Sequence, residues 1–254
     1  MGVAAAAGWM TRVPAALLRV MRVSVIIPAL NEVEHIQQAI AAARGDYTPD
    51  EVEVIVVDGG SSDGTPELVP PDATLMRAEG ASPRGRAAQM NRGAAASHGE
   101  VLVFCHADSR LPAGWREAVL EVLSLPGVRG GSFQLAIVPA RGILRLLNRL
   151  RFGANWRIMF GDQAQFTWRA VFEQVGGFPD VPLMEDLELS RKLHRAGRLV
   201  RVPLRVTTSS RRFLERGPLR QWLLDVWLVV RYLVLGATAQ EIARVYRSSR
   251  EDVF

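Results

Sequence analysis

The first half of the chain alternates between apolar runs and amphipathic stretches. "VSVIIPAL" (23–30) is β-branched and continuously apolar, so it predicts a strand covered on both faces. "EVEVIVVD" (51–58), "TLMRAE" (74–79) and "EVLVFCHAD" (100–108) predict three more strands. Between the first two, Val33, Ile36, Ile40 and Ala43 recur at helical spacing, with Asn31 placed to cap the helix. "GGSSDGTPELV" predicts a turn into a helix, with Thr65 as N-cap and Pro66 at its first position. "SPRGRAAQMNRGAAASHG" predicts a helix capped by Ser82, with Pro83 in its first turn and Gly99 near its end. "LPAGWREAVLEVLSLPG" predicts another. This β-α-β-α-β-α-β order implies a mainly parallel α/β sheet with helices on both faces.

The second half is less regular. "GGSFQLAIV" (130–138) predicts a strand, and "GILRLLNRLRFGANWRIM" (142–159) one or two amphipathic helices. "AQFTWRAVFEQVGGF" predicts a strand end and then a helix closed by Gly176 and Gly177. "EDLELSRKLHRAG" predicts a helix stopped at Gly197. "RLVRVP" and "RVTTSS" predict two short strands, and 219–246 a helical tail. No internal repeat or low-complexity linker divides the chain. The expected organisation is a leader over 1–21, one domain over 22–210 and a helical extension over 211–254. The leader is alanine-rich and basic, lacks the apolar core of a signal peptide, and leaves Met21 as a second candidate start.

Composition changes this picture little. At 254 residues, 48% hydrophobic and 22% charged, the chain can bury a real core and is neither disordered nor collagen-like. The net charge is +5, and Lys192 is the only lysine. A GC-rich genome explains most of that arginine bias; phosphate contact, which suits the guanidinium fork, is the functional reading. No basic block suggests a nucleic-acid partner. The single cysteine, Cys105, excludes an internal disulfide framework, suits a reducing, cytoplasmic compartment, and sits in an apolar run as core.

The stretch "LRQWLLDVWLVVRYLVLGA" (219–237) carries Asp225 and Arg231, too much charge for a comfortable membrane span. Its Trp222, Trp227 and Tyr232 leave two readings open. It lies on the inner face of the cell membrane or against a lipid-linked acceptor, or it packs on its own domain or in a homodimer. The second is the plainer.

Candidate chemistry collects at strand ends, where open α/β sheets bind ligands. Two strands end on carboxylates, Asp58 and Asp108; each alone could simply cap the helix that follows. "DGGSSDGTPE" has glycines, Gly60 among them, that permit close backbone approach, but it is neither GxGxxG nor a P-loop. Asp108 is a candidate ligand for Mg²⁺ or Mn²⁺, which favour one or two carboxylates plus substrate phosphates. His106 is a second ligand, a nucleotide contact, or a structural histidine. Arg86 opens a helix, where backbone N–H groups already favour anions. Glu185 and Asp186 stand where Pro182 and Leu183 lead into a helix; they suit its dipole, or one of them is a general base. Asp162 and Gln163 in "FGDQAQF" suit a sugar or acceptor site.

Together "VSVIIPALNE", "VIVVDGGSSDGT", "RGRAAQMNRGAAASHGEVLVFCHADS", "FEQVGGFPD" and "MEDLELSRKL" resemble, in order and spacing, a family 2 glycosyltransferase. The resemblance covers roughly 23–208 and implies the GT-A fold, a nucleotide-diphospho-sugar donor that is typically UDP-linked, and a divalent metal. It implies that Pro28, Ala29 and Glu32 border the nucleobase and ribose, and that Asp58 bonds the base. Gly60 and Ala107 would join the same nucleotide-sugar site. Arg86 and Asn91 would line the diphosphate. Asp108 would match the last Asp of the family's DxD motif and hold the metal. Asp186 would be the base, supported by Glu185, in an inverting transfer to an acceptor hydroxyl. The first DxD carboxylate is replaced here by His106, as in a short bacterial subgroup with His-Ala-Asp. Two other classes compete. A nucleotidyltransferase would show a Gly- and Lys-rich loop after the first strand, which "PALNEVEH" lacks. A non-catalytic nucleotide binder would bind without transfer or hydrolysis.

Overall fold

The computed structural model describes residues 20–77, 85–139 and 159–251. The leader up to residue 19, Ser82, Pro83 and nearly all of the amphipathic stretch 142–159 lie outside them.

Eight strands form one sheet in the order β3-β2-β1-β4-β7-β6-β8-β5. β1 (Val23–Ala29), β2 (Val52–Asp58), β3 (Thr74–Arg77) and β4 (Val101–Phe104) run parallel. β5 (Ser109–Arg110) pairs antiparallel with β8 (Arg198–Ser209) at the far edge. Antiparallel β7 (Gln165–Trp168) joins β4 to β6 (Val128–Val138), which runs parallel to β8. The alternation of side chains explains why the parallel strands read as unbroken apolar runs. Val23, Val25, Ile27, Val101, Val103 and Cys105 pack on one face of the sheet. Ile26, Leu102 and Phe104 pack on the other.

Helices cover both faces. α1 (Ile36–Arg44) and α3 (Trp115–Leu123) supply Ile36, Ile40, Trp115 and Val119 to the first face. α2 (Arg86–Ala96), α4 (Arg169–Gln174) and α5 (Glu185–Ala196) supply Met90, Phe172, Leu189 and Leu193 to the second. α6 (Arg211–Arg216), α7 (Pro218–Leu233) and α8 (Ala239–Glu251) complete the chain. Leu228 and Ile242 of the last two pack on Met184 and Leu187 at the start of α5.

Four local expectations change. Asn31 is not a cap, because α1 begins five residues later with His35 before it. The helix expected after Thr65 is only a 3-10 turn over Pro66–Leu68. The two short strands at 198–209 are one strand whose pairing with β6 slips between Phe133 and Gln134. The helical tail breaks after Val234, where Gly236 takes a positive φ of 71°.

Candidate functional site

The parallel strands deliver Ala29, Asp58 and the segment after Phe104 to one edge of the sheet. Two loops there are laced together by side chains. Asn31 N–H donates to Ser61 Oγ at 2.8 Å, and Ser62 N–H donates to Asn31 Oδ1 at 3.0 Å. Glu32 N–H donates to Thr65 Oγ1 at 2.8 Å, and Val33 N–H to Asp63 Oδ2 at 3.0 Å. Asn31 therefore serves a rim between loops rather than a helix start, and Thr65, which does precede the 3-10 turn with Pro66 first, gives its hydroxyl to the rim instead of capping. Asp58 is buried and belongs to the same lacing: its carboxylate accepts from Gly60 N–H at 2.9 Å and Ser61 N–H at 3.1 Å.

This rim opens on a cleft of about 1410 Å³. Of the residues expected at the site, Pro28, Ala29, Glu32, Gly60, Arg86, His106, Ala107, Asp108, Asp162, Gln163, Glu185 and Asp186 all line it. Asp58 and Asn91 do not. Asn91 instead clamps α2 to the turn before α5, donating to Phe178 O at 2.8 Å and accepting from Phe178 N–H at 3.0 Å.

Asp186 sits in the first turn of α5, partly open to the cleft and otherwise closely surrounded. Its Oδ2 accepts from Gly161 N–H at 2.6 Å and its Oδ1 from Leu187 N–H at 2.8 Å. Burial, and then the neighbouring Glu185 carboxylate, push its pKa up to about 7, against those two N–H donors and Arg86. A carboxylate poised there accepts a proton near neutral pH. Glu185 is buried beside it and paired with Arg86 at 3.2 Å, a bridge from α5 to α2. Gly161 is needed at its position for space: a Cβ there would lie 2.6 Å from His106 Nε2 and 3.4 Å from Asp186 Oδ2. His106 and Asp186 thus both lie close to the place a side chain at 161 would take.

Across the cleft, the Asp108 carboxylate raises the pKa of Glu32, adding to the larger effect of burial. Arg211 opposes both, its Nη2 reaching each Glu32 carboxylate oxygen at 3.3 Å. Asp108 itself receives Ser109 Oγ–H at 3.2 Å and lines the cleft. Among the described residues no three His, Cys, Asp or Glu side chains gather into a protein-only metal cage. One carboxylate on an open cleft wall, with a second nearby, does fit a hard cation completed by phosphate oxygens. Cys105 is wholly buried, and burial holds its thiol up at about 12, so it is core and not a nucleophile.

Sequence reading missed four site residues. Arg211 follows a strand and carries no motif. Gln89 is a buried amide that donates to Ala29 O and Val57 O, both at 2.8 Å, and so pins the ends of β1 and β2. Gln165 donates to Met159 O at 2.9 Å and Asp186 O at 3.0 Å, fixing the entry to α5. Met184, just before Glu185, is held at a positive φ of 69°. The other non-glycine residues in that region among those described, Asn31 and Ala164, stand next in the chain to cleft-lining residues, Asn31 between Leu30 and Glu32 and Ala164 after Gln163. Strain kept at a site in this way is a functional signal that composition does not carry.

Comparison with known proteins fits this geometry. Residues 24–160, more than half of the chain, match the family described as Glycosyl transferase family 2. The chain belongs to that family. Probable glycosyltransferase YdaM of Bacillus subtilis is 26% identical over 211 residues, covering 71% of this chain and 48% of that protein. Succinoglycan biosynthesis protein ExoA of Rhizobium meliloti is 30% identical over 195 residues, covering 68% and 58%. The chain thus spans about half the length of such relatives. A mannosyltransferase of Pyrobaculum calidifontis, solved with GDP-Man and Mn²⁺, is 27% identical with a TM-score of 0.56, covering 74% of this chain and 56% of that one. Staphylococcus aureus TarS with UDP, at 18% identity and a TM-score of 0.60, covers 74% and 60% and shares the fold. The GT-A architecture expected from sequence is the one observed.

Proposed function

We propose that the chain is an inverting sugar transferase using a nucleotide-diphospho-sugar, with Asp186 as base. The observation that carries this reading is the placement of Asp186. A carboxylate with a raised pKa faces the same cleft as the strand-end residues Ala29, Ala107 and Asp108. The acceptor hydroxyl gives its proton to Asp186 as its oxygen bonds to the anomeric carbon. The bond from that carbon to the diphosphate breaks, and the diphosphate leaves with the electron pair. Gly161 N–H and Leu187 N–H keep both Asp186 oxygens oriented during this step. A divalent cation held by Asp108 would supply charge neutralisation at the diphosphate. Glu185 holds Arg86 at the cleft edge, where its cation adds to that neutralisation. Asp162 and Gln163, on the turn beside Asp186, border the acceptor. We take the donor as UDP-linked; the Pyrobaculum relative was solved with a GDP-sugar, so GDP-sugars belong in the test.

Donor turnover measures this directly. Asp186→Asn should cut kcat by about 10²–10⁴-fold, the usual worth of a positioned base. Asp108→Ala should abolish the response to added Mn²⁺. Unchanged turnover in both variants removes the assigned roles. Tight binding of UDP- and GDP-sugars with no transfer or hydrolysis favours a non-catalytic nucleotide binder instead.

A further inference from the structure

The outer face of α7 is built unlike any other described surface of the molecule. Leu219, Leu223, Trp227, Val230 and Val234 recur at helical spacing along one side, and each is between 41% and 74% exposed. Leu235 and, from α6, Leu214 extend the patch. Single exposed apolar residues need no explanation, but a continuous helical stripe does. The patch runs into the cleft without a polar break. Trp222, Val226, Val229 and Val230 of the same helix line the cleft wall, so Val230 belongs to both surfaces.

Charge identifies what covers the stripe. Residues 211–251 hold eight arginines against four carboxylates, so this short segment supplies +4 of the chain's net +5. On α7 the arginines Arg220 and Arg231 flank one edge of the stripe, and the Arg231 guanidinium lies 4.9 Å from the Trp227 ring centre. The helix's own acid, Asp225, turns away to the cleft, where it accepts from Gln221 at 2.7 Å. Glu241 stands near Arg231 but caps α8 through Thr238. A second copy of this chain laid on the same face would bring two such basic segments together. An anionic surface with an apolar interior matches both the charge and the stripe.

We propose that this face docks on an anionic lipid bilayer, with Leu223 and Trp227 set among the acyl chains and Arg220 and Arg231 at the headgroups. Because the stripe continues into the cleft, the docked orientation presents the cleft mouth to the lipid surface. The acceptor would then be an amphiphile that keeps its tail in the bilayer; this last step alone rests on the transferase reading. Among the described residues no helix is long and apolar enough to cross a membrane, so the contact is peripheral.

The test uses the full chain and sedimentation with vesicles, without donor or acceptor. One set is phosphatidylcholine alone, the other phosphatidylcholine with about one third phosphatidylglycerol. Binding to the anionic set at low salt, weakened as ionic strength rises, is expected. The double variant Leu223→Glu, Trp227→Glu should bind at least about tenfold more weakly, while its thermal stabilisation by nucleotide stays that of the wild type. No binding of the wild type to anionic vesicles overturns the proposal. So does a stable dimer in ultracentrifugation that the double variant dissociates, which would make the stripe a self-association surface. Nucleotide stabilisation is measured apart from vesicle binding, so failure of either reading leaves the other standing.

Discussion

Asp186 illustrates how one side chain can be costly to the fold and, in the proposed mechanism, useful to the reaction. Its native pKa, pushed up to about 7 by burial and by Glu185, lies well above the value of 3.8 that it has when unfolded. Between those two values the native state binds more protons than the unfolded state. Stability therefore falls as pH rises through that window and levels off above it. The loss expected from this group is at most about 4 kcal/mol, and less because the carboxylate is partly open to solvent in the cleft. Asp186→Asn cannot ionise, so its stability should be flatter between pH 4 and pH 7 than that of the wild type. Urea unfolding at intervals across that range measures it; parallel curves would mean that Asp186 ionises freely in the fold. The Asn side chain still accepts from one of Gly161 N–H and Leu187 N–H, so the comparison is of slopes with pH and not of absolute stability. That Asp108 and Asp186 line the cleft was readable from sequence, because each stands at the mouth of an element with a clear apolar period. Arg211, Gln89 and Gln165 were not, because each acts through a partner distant in sequence and no spacing announces it.

At the scale of elements, what could be read followed from burial on both faces. β1, β2 and β4 are covered by helices above and below, so their runs are unmistakable. α5 keeps a polar face and an apolar stripe, and its bounds matched its pattern. The failures lie where local side-chain bonds outcompete regular structure. Asn31, Asp63 and Thr65 spend their polar atoms on neighbouring loops, which shortens the helix expected after each loop. Close helix-to-sheet contact was hidden in the same way, inside an alanine-rich stretch. Gly93 of α2 lies so near β1 that a Cβ would sit 2.5 Å from Ile26 Cγ2 and 3.1 Å from Val57 Cγ2. Both partners are fully buried strand residues with little room to shift. Gly93→Ala gains about 1 kcal/mol in helix propensity, yet overpacking costs roughly 1–3 kcal/mol. Net destabilisation is expected, and a lower thermal midpoint in calorimetry would show it. A raised midpoint would mean that α2 can lift from the sheet.

For the whole molecule, two ion pairs tie elements at the cleft edge of the sheet to later elements across the cleft. Arg86 of α2 meets Glu185 of α5, and Glu32 after β1 meets Arg211 of α6. The Glu32–Arg211 pair is partly exposed, so its direct worth to the fold is at most about 1 kcal/mol. Its position suggests another use. Glu32 and Asp108 repel one another, and Arg211 is the cation that faces them from the carboxy-terminal helices. A diphosphate entering the cleft would add further negative charge beside them. Arg211→Ala should therefore leave the ligand-free thermal midpoint nearly unchanged while weakening nucleotide binding by about tenfold or more, the worth of one charge-assisted contact. Since a ligand stabilises the native state by mass action, titrating UDP and GDP against each protein at fixed Mn²⁺ reads the difference as a smaller thermal shift. If Arg211 takes no part in nucleotide binding, directly or through Glu32, the two proteins will respond to nucleotide alike. The double variant Glu32→Gln, Arg211→Ala separates these cases. It removes the pair and much of the repulsion at once, so restored nucleotide binding there would assign Arg211 to Glu32, and a persistent loss would assign it to the diphosphate.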